Sequence, residues 1–210
     1  MPLLASLQIG LPQSFSAANF TGKPWKSAIG KTPTAAPLLA GPLGLEGDAQ
    51  ANRRVHGGPD KAICAYAEAH YRFWRDAYPD RDWQPGGFGE NFTLRDLDET
   101  AACLGDRWEI GAAVLEISQP RQPCLTLARR WNLRELVSRV ARTGYCGWYF
   151  RVVQPGAVAA GQTLRLVARP YPDWTVARTH AVWHDKRRQA ERAELAKVDA
   201  LADSWRGEIA

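Results

Sequence analysis

No CxxC pair occurs among the four cysteines of this chain; Cys64, Cys103, Cys124 and Cys146 are scattered. A chain of 210 residues needs no covalent staple. A disulfide framework is therefore not expected, and the thiols read as reduced, as in a cytoplasmic protein. Long apolar runs are missing too. No stretch approaches the roughly 18 apolar residues of a membrane span. The opening MPLLASLQIGLPQSF has no basic segment, and Gln8 and Pro12 interrupt its apolar run. We expect neither a targeting segment nor a membrane partner. Phosphate loops of the GxxxxGKS or GxxxxGKT type are absent, as are flavin, haem and iron–sulfur motifs.

What is present is a local excess of positive charge. The net charge is +5. Between Gln119 and Arg142 stand six arginines (Arg121, Arg129, Arg130, Arg134, Arg139 and Arg142) and one acid, Glu135. This segment alone accounts for the excess. From Asp173 onward the chain holds seven basic and seven acidic residues and is neutral. Nucleic-acid surfaces spread their cations over a face or an arm. A confined excess around Cys124 suits a small phosphorylated anion better, so we expect no nucleic-acid partner. Arg134, Arg139 and Arg142 fall on the polar side of a helical segment and also read as a solvated face.

The first third is rich in glycine and proline, with LLASLQIGL, KSAIGK and LEGDAQ as short strands between turns. KAICAY is another strand. Ala67, Tyr71, Trp74 and Tyr78 follow at helical spacing, and Pro79 ends that helix. PGGFGENFTL is a glycine-rich loop entering a strand. DRWEIGAAVLEIS gives two strands about Gly111, with Trp108/Ile110 and Leu115/Ile117 alternating. QPRQPC is a short turn. Leu133, Leu136, Val137 and Val140 then line an amphipathic helix, with Glu135 and Arg139 an i, i+4 pair. GWYFRVV and QTLRLVA are the last strands. Many short strands with few helices between them predict a mainly β, α+β fold built on a barrel over residues 1–170. A boundary falls at Pro170-Tyr171-Pro172. Residues 171–210 read as a small helical appendage. In it Thr175 caps a helix to about Trp183, and RRQAERAELAKVDALADSW forms a second.

Cys124 ends the segment SQPRQPC, in which two prolines flank Arg121 and stiffen the loop. A guanidinium three residues away favours the thiolate, the form that attacks electrophiles or binds a soft metal. A buried structural cysteine is the alternative. His56 opens the turn HGGPDK, whose Gly57 and Gly58 let the backbone approach a ligand. The imidazole there donates to a phosphate or titrates near neutral pH, unless it is simply a surface residue of a turn. GGFGEN resembles phosphate-cradling loops in composition alone. His180 and His184 stand one helical turn apart, but HAVWH lacks the glutamate of HExxH and has basic neighbours, so packing around Trp183 is the expected role. A hydrolase with Cys124 as nucleophile and His56 as base also fits these residues, although it leaves the clustered arginines unexplained.

KPWKSAIGK, GLEGDAQANRRVHGGPDKAICAYAEAHY, FGENFTL, LGDRWEIGAAVLEISQPRQPC and RTGYCGWYFRVVQPGAV together resemble, in order, the MOSC family, the C-terminal domain type of molybdenum cofactor sulfurase. The branch is the YiiM-like one, the 6-N-hydroxylaminopurine-resistance proteins. The likeness spans about residues 23–168, and the tail resembles a shortened form of the small helical domain that follows the barrel in this branch. The resemblance implies a MOSC-type β-barrel that binds the molybdenum cofactor (molybdopterin) in a basic cleft. By it Cys124 is the metal ligand, and Lys31, His56 and Arg121 are cofactor-binding residues. Asn91 of GEN transfers less directly, and Arg53 is added for its place just before the histidine turn. Pyridoxal phosphate binding is a further association of the family.

The implied activity is a two-electron reduction of an N-hydroxylated base or amine, a detoxification with Cys124 and His56 in catalytic roles. The small-molecule substrate would be reduced by electrons from a separate electron-donor protein. The chain itself is expected to be a monomer or a homodimer. Two other readings stay open. One is a carrier of the molybdenum cofactor or of sulfur, without turnover of its own. The other is a nucleic-acid-binding barrel, prompted by the basic balance and opposed by its confinement.

Overall fold

A computed structural model describes residues 1–209. The strands are β1 (Leu3–Ile9), β2 (Gln13–Phe15), β3 (Trp25–Ser27), β4 (Thr32–Pro33), β5 (Leu38–Gly41), β6 (Gly44–Leu45), β7 (Ile63–Ala67), β8 (Phe92–Arg95), β9 (Arg107–Ile110), β10 (Ala113–Pro120), β11 (Trp148–Gln154), β12 (Gly156–Val158) and β13 (Arg165–Ala168). The helices are α1 (Arg53–His56), α2 (His70–Ala77), α3 (Leu125–Trp131), α4 (Leu136–Thr143), α5 (Val176–His184), α6 (Gln189–Leu195) and α7 (Asp203–Ile209). Eight strands join in one curled, half-barrel sheet in the order β13-β9-β10-β11-β7-β8-β1-β4. The α+β barrel-like fold expected from the sequence is the one found.

All pairings in the large sheet are antiparallel except β7 with β8, where Ala65 lies opposite Phe92. Parallel neighbours need a long crossover. Here it carries α2 and the loop from Gln84 to Asn91, which returns the chain to the sheet. Every residue of β7 (ICAYA) is buried, because both of its faces are covered. The crossover is held by aromatic packing. Phe88 stacks on Tyr66 at 4.2 Å, Trp83 packs on Trp131 at 3.9 Å, and Trp74 Nε1 donates to the Tyr66 hydroxyl at 2.6 Å.

Several local expectations are corrected. KSAIGK is a strand only as far as Ser27, and LEGDAQ leaves the sheet after Leu45. Beyond Leu45 the backbone turns through Gly47 at φ +78°, and the Asp48 side chain, rather than a strand ladder, ties the segment to Gly10. QPRQPC is not a turn from its start, since β10 continues to Pro120 opposite Trp148. The helix α3 follows Cys124 directly. Its N-cap position holds that cysteine instead of Ser, Thr, Asp or Asn, so the usual start signal is missing. The last helical stretch is two helices, α6 and α7. Arg206 Nη2 donates to the carbonyls of Val198, Asp199 and Leu201 between them, which satisfies the break. At the other end of the tail, the Thr175 hydroxyl caps α5 by accepting from the Arg178 amide at 3.0 Å. Val176, Val182, Leu195, Leu201 and Trp205 of this region join the same apolar cluster as the barrel residues.

The glycine-rich loop is organised by one buried carboxylate. Glu90 is fully buried and accepts from the Tyr71 hydroxyl (2.5 Å), the Gly86 amide (2.7 Å), the Thr93 hydroxyl (2.8 Å) and the Phe88 amide (3.1 Å). Removing the acceptor leaves four donors without a partner in a dry interior. Glu90→Ala is expected to lower the unfolding free energy by about 3 kcal/mol or more. Urea unfolding at neutral pH checks this, and a loss below about 1 kcal/mol would contradict the role assigned to Glu90.

Candidate functional site

An open cleft is lined by the segments that follow β3, β6 and β10, by the loop before β8, and by Cys64 of β7 and Tyr149 of β11. Five of the six site residues expected from the sequence line it: Lys31, His56, Asn91, Arg121 and Cys124. They arrive on different segments. Lys31 follows β3, His56 ends α1, Asn91 precedes β8, and Arg121 and Cys124 follow β10. Gly89 forms part of the wall, with φ +76°. A Cβ there would lie 2.7 Å from the Ile29 side chain, so this close approach requires glycine. Gly58, in the histidine turn, has φ +99°.

The cleft's charge is set by Cys124 and Arg121. Burial alone would push the Cys124 thiol up. The neighbouring His56 ring and the Arg121 guanidinium overcome that and hold it at about 6, so the thiolate predominates at neutral pH. The other cleft thiol, Cys64, behaves oppositely, since burial pushes it up to about 11. Arg121 is 6% exposed, and its backbone amide donates to the Gly147 carbonyl at 3.0 Å. Burial disfavours its charge, but the adjoining Cys64, Tyr149 and Cys124 groups favour it, and its pKa is raised. Its Nη1 atom has no hydrogen-bond partner. A buried guanidinium nitrogen with an unused donor beside a cleft is suited to an anion.

Lys31 is committed within the protein. Its Nζ lies 2.5 Å from Asp48 Oδ1, with the two side chains 7% and 1% exposed. Asp48 Oδ1 also accepts from the Gly10 amide at 2.8 Å, and Oδ2 from Asn91 Nδ2 at 2.9 Å. Asn91 is engaged as well. Its Nδ2 donates to the Gln8 carbonyl at 3.2 Å, and its Oδ1 accepts from the Cys64 amide at 3.2 Å. Asn91 therefore holds other groups in place with both Nδ2 protons, and only Oδ1 keeps an acceptor site for a ligand. Lys61 lines the cleft with Nζ donating to the Val55 carbonyl at 2.8 Å, which ties α1 to the wall. Burial lowers its pKa.

Sequence reasoning missed Asp48, Lys61, Cys64 and Tyr149, all of which line the cleft. Lys61 belongs to the HGGPDK turn already singled out, so a signal for it existed. Asp48 lay in a segment read as strand, and Cys64 was read only as one of four scattered, reduced thiols. Arg53 is not in the cleft. It is exposed on α1 and borders a neighbouring hollow with Leu39, Leu43 and Gln50. Of the six clustered arginines, Arg121 is the one that lines the cleft. Arg139 instead lies over the rings of Tyr78 and Phe73 at 5.0 and 5.5 Å, and Arg134 over Phe20 at 5.6 Å. His180 meets the Ala141 carbonyl at 2.9 Å, and Trp183 packs on Trp205 at 4.0 Å. Among the described residues no group of three or more His, Cys, Asp or Glu side chains is arranged to hold a metal ion. Among the described residues no helix is long and apolar enough to cross a membrane.

Comparison with known proteins places this geometry. The family model of the MOSC domain matches residues 52–165. Protein YiiM of Escherichia coli is 37% identical over 187 residues, covering 88% of this chain and 82% of that protein. A protein of Gibberella moniliformis named Reductase is 35% identical over 159 residues, which cover 74% of this chain and 28% of that one. The crystal structure of YiiM from Geobacillus stearothermophilus superposes with a TM-score of 0.83 at 34% identity, covering 100% of this chain and 97% of that one. The matched domain includes His56, Asn91, Arg121 and Cys124. This chain belongs to the MOSC family.

Proposed function

We propose that this protein is a molybdenum-cofactor-dependent reductase of N-hydroxylated bases or amines. The observation that carries the reading is the pairing of a Cys124 thiolate with a buried, incompletely bonded Arg121 in one cleft. The residues present fit the cofactor. A thiolate is a soft-metal ligand, and the unused Arg121 donor suits a terminal phosphate. When bound, the cofactor supplies a two-electron couple suited to cleaving an N–O bond.

The chain's own residues have distinct tasks in this scheme. Cys124 Sγ would be the ligand to the metal. Arg121, which favours the Cys124 thiolate, would hold the phosphate end. His56 stands beside the thiolate at the cleft wall, where it would supply a proton to the departing hydroxyl. Conversion of R–NHOH to R–NH2 and water takes up two electrons and two protons. The electrons come from a separate donor protein. A relative named as a reductase, in which the matching segment fills 28% of the length, supports this reading by leaving room for further components in that protein.

Two outcomes check it. With cofactor loaded and a chemical reductant supplied, Cys124→Ser is expected to lower turnover of an N-hydroxylated amine by about a hundredfold or more. Turnover equal to wild type would remove the mechanism. In the metal-free protein, iodoacetamide should alkylate Cys124 with a midpoint near pH 6, reactivity rising with pH as the thiolate forms. Arg121→Gln should move that midpoint upward by about one unit, while a wild-type midpoint at pH 8 or above would contradict the thiolate.

A further inference from the structure

Asp48 and Lys31 lie outside the matched MOSC domain, which begins at residue 52, yet both reach the cleft. Their positions are fixed from several sides. The Asp48 carboxylate is held by the Gly10 amide, the Asn91 amide group and the Lys31 ammonium. The backbone repeats the connection, because the Asp48 amide donates to the Leu45 carbonyl and the Ala49 amide to the Gly10 carbonyl, each at 3.0 Å. The Lys31 stem packs against Gly10, where an added Cβ would lie 3.2 Å from Cγ and only 2.9 Å from the Gly30 carbonyl oxygen. Asp48 is the sole hydrogen-bond partner of Lys31 Nζ among the described residues. The ammonium and carboxylate form a nearly buried pair whose net charge is zero. Arg121, by contrast, has an Nη1 atom without a hydrogen-bond partner among the described residues.

We propose that Asp48 is a positioning residue of the cleft, one that pins and neutralises Lys31 so that Arg121 carries the anion. The inference deepens the reading above, since it assigns the phosphate end of the cofactor to Arg121 and removes Lys31 from that duty. The physical reason is one of distance and sign. An anion entering the cleft meets a lysine whose charge is cancelled by a carboxylate in direct contact, and the two fields offset each other within a few ångströms. The guanidinium's neighbour is instead the Cys124 sulfur, and its Nη1 donor has no hydrogen-bond partner among the described residues, so it keeps a donor for an entering anion.

The test uses inorganic phosphate as probe, titrated calorimetrically into the metal-free full chain at two salt concentrations. Asp48→Asn keeps the size and acceptor oxygen of the side chain but uncovers the Lys31 charge. It is expected to bind phosphate about fivefold tighter or more, with a steeper salt dependence. The double variant Lys31→Met with Asp48→Asn removes a neutral pair and should stay within about threefold of wild type. Arg121→Gln should abolish measurable binding. Equal or weaker binding by folded Asp48→Asn overturns the proposal. So does a loss of about tenfold or more in the double variant, or absence of phosphate binding in every protein. Should Asp48→Asn fail to fold, the double variant, which strands no buried charge, still decides. None of these readings involves turnover. A chain that never reduces an N-hydroxylated compound can therefore confirm or refute the role of Asp48 separately from the reductase reading.

Discussion

The site depends on a charge balance between one sulfur and one guanidinium. Cys124 is largely enclosed, and enclosure favours the neutral thiol. Arg121 is enclosed too, and enclosure disfavours its cation. Each charge is tolerable because the other is near. Pro120 and Pro123 flank Arg121, Cys124 follows Pro123 directly, and β10 delivers them from a strand paired on both sides with β9 and β11. A stiff loop leaving a fixed strand keeps the two charges together without help from a flexible hinge.

The rest of the fold supplies the wall facing that pair. The parallel step between β7 and β8 forces a crossover, and the crossover returns through Glu90 and Asn91. Glu90 looks inward and ties the glycine loop to the aromatic core. Asn91 looks toward the cleft and joins β1, β7 and Asp48. Adjacent residues thus serve opposite sides of the chain where the loop enters β8. The terminal helices add their apolar side chains to the same core, and the Ala202 amide donates to the Ser118 carbonyl in β10, bracing the strand that ends at the site.

Much of this was legible in the residues. Alternation in DRWEIGAAVLEIS, the stop at Pro79 and the cap at Thr175 each have a local cause, and each appears in the fold. Cys124 and Arg121 could be read together because they stand three positions apart. Asp48 could not, since its partners lie 17 residues away at Lys31, 38 away at Gly10 and 43 away at Asn91. The arginine cluster misled in a different way. Helical rotation turns Arg139 onto Tyr78 and Phe73, and the turn between α3 and α4 sets Arg134 over Phe20, so charges adjacent in sequence are dispersed in space. The start of α3 was hidden because Cys124 stands where a capping hydroxyl or carboxylate would normally announce it.

The central claim is that the Cys124 sulfur anchors a molybdenum–pterin group in this cleft. It is tested most directly by metal and pterin analysis of protein produced in a host that makes the cofactor, wild type beside Cys124→Ala. The account predicts stoichiometric molybdenum with pterin in the wild type and loss of the metal in the variant while the fold is retained. Equal molybdenum in both proteins, or none in the wild type, would contradict it.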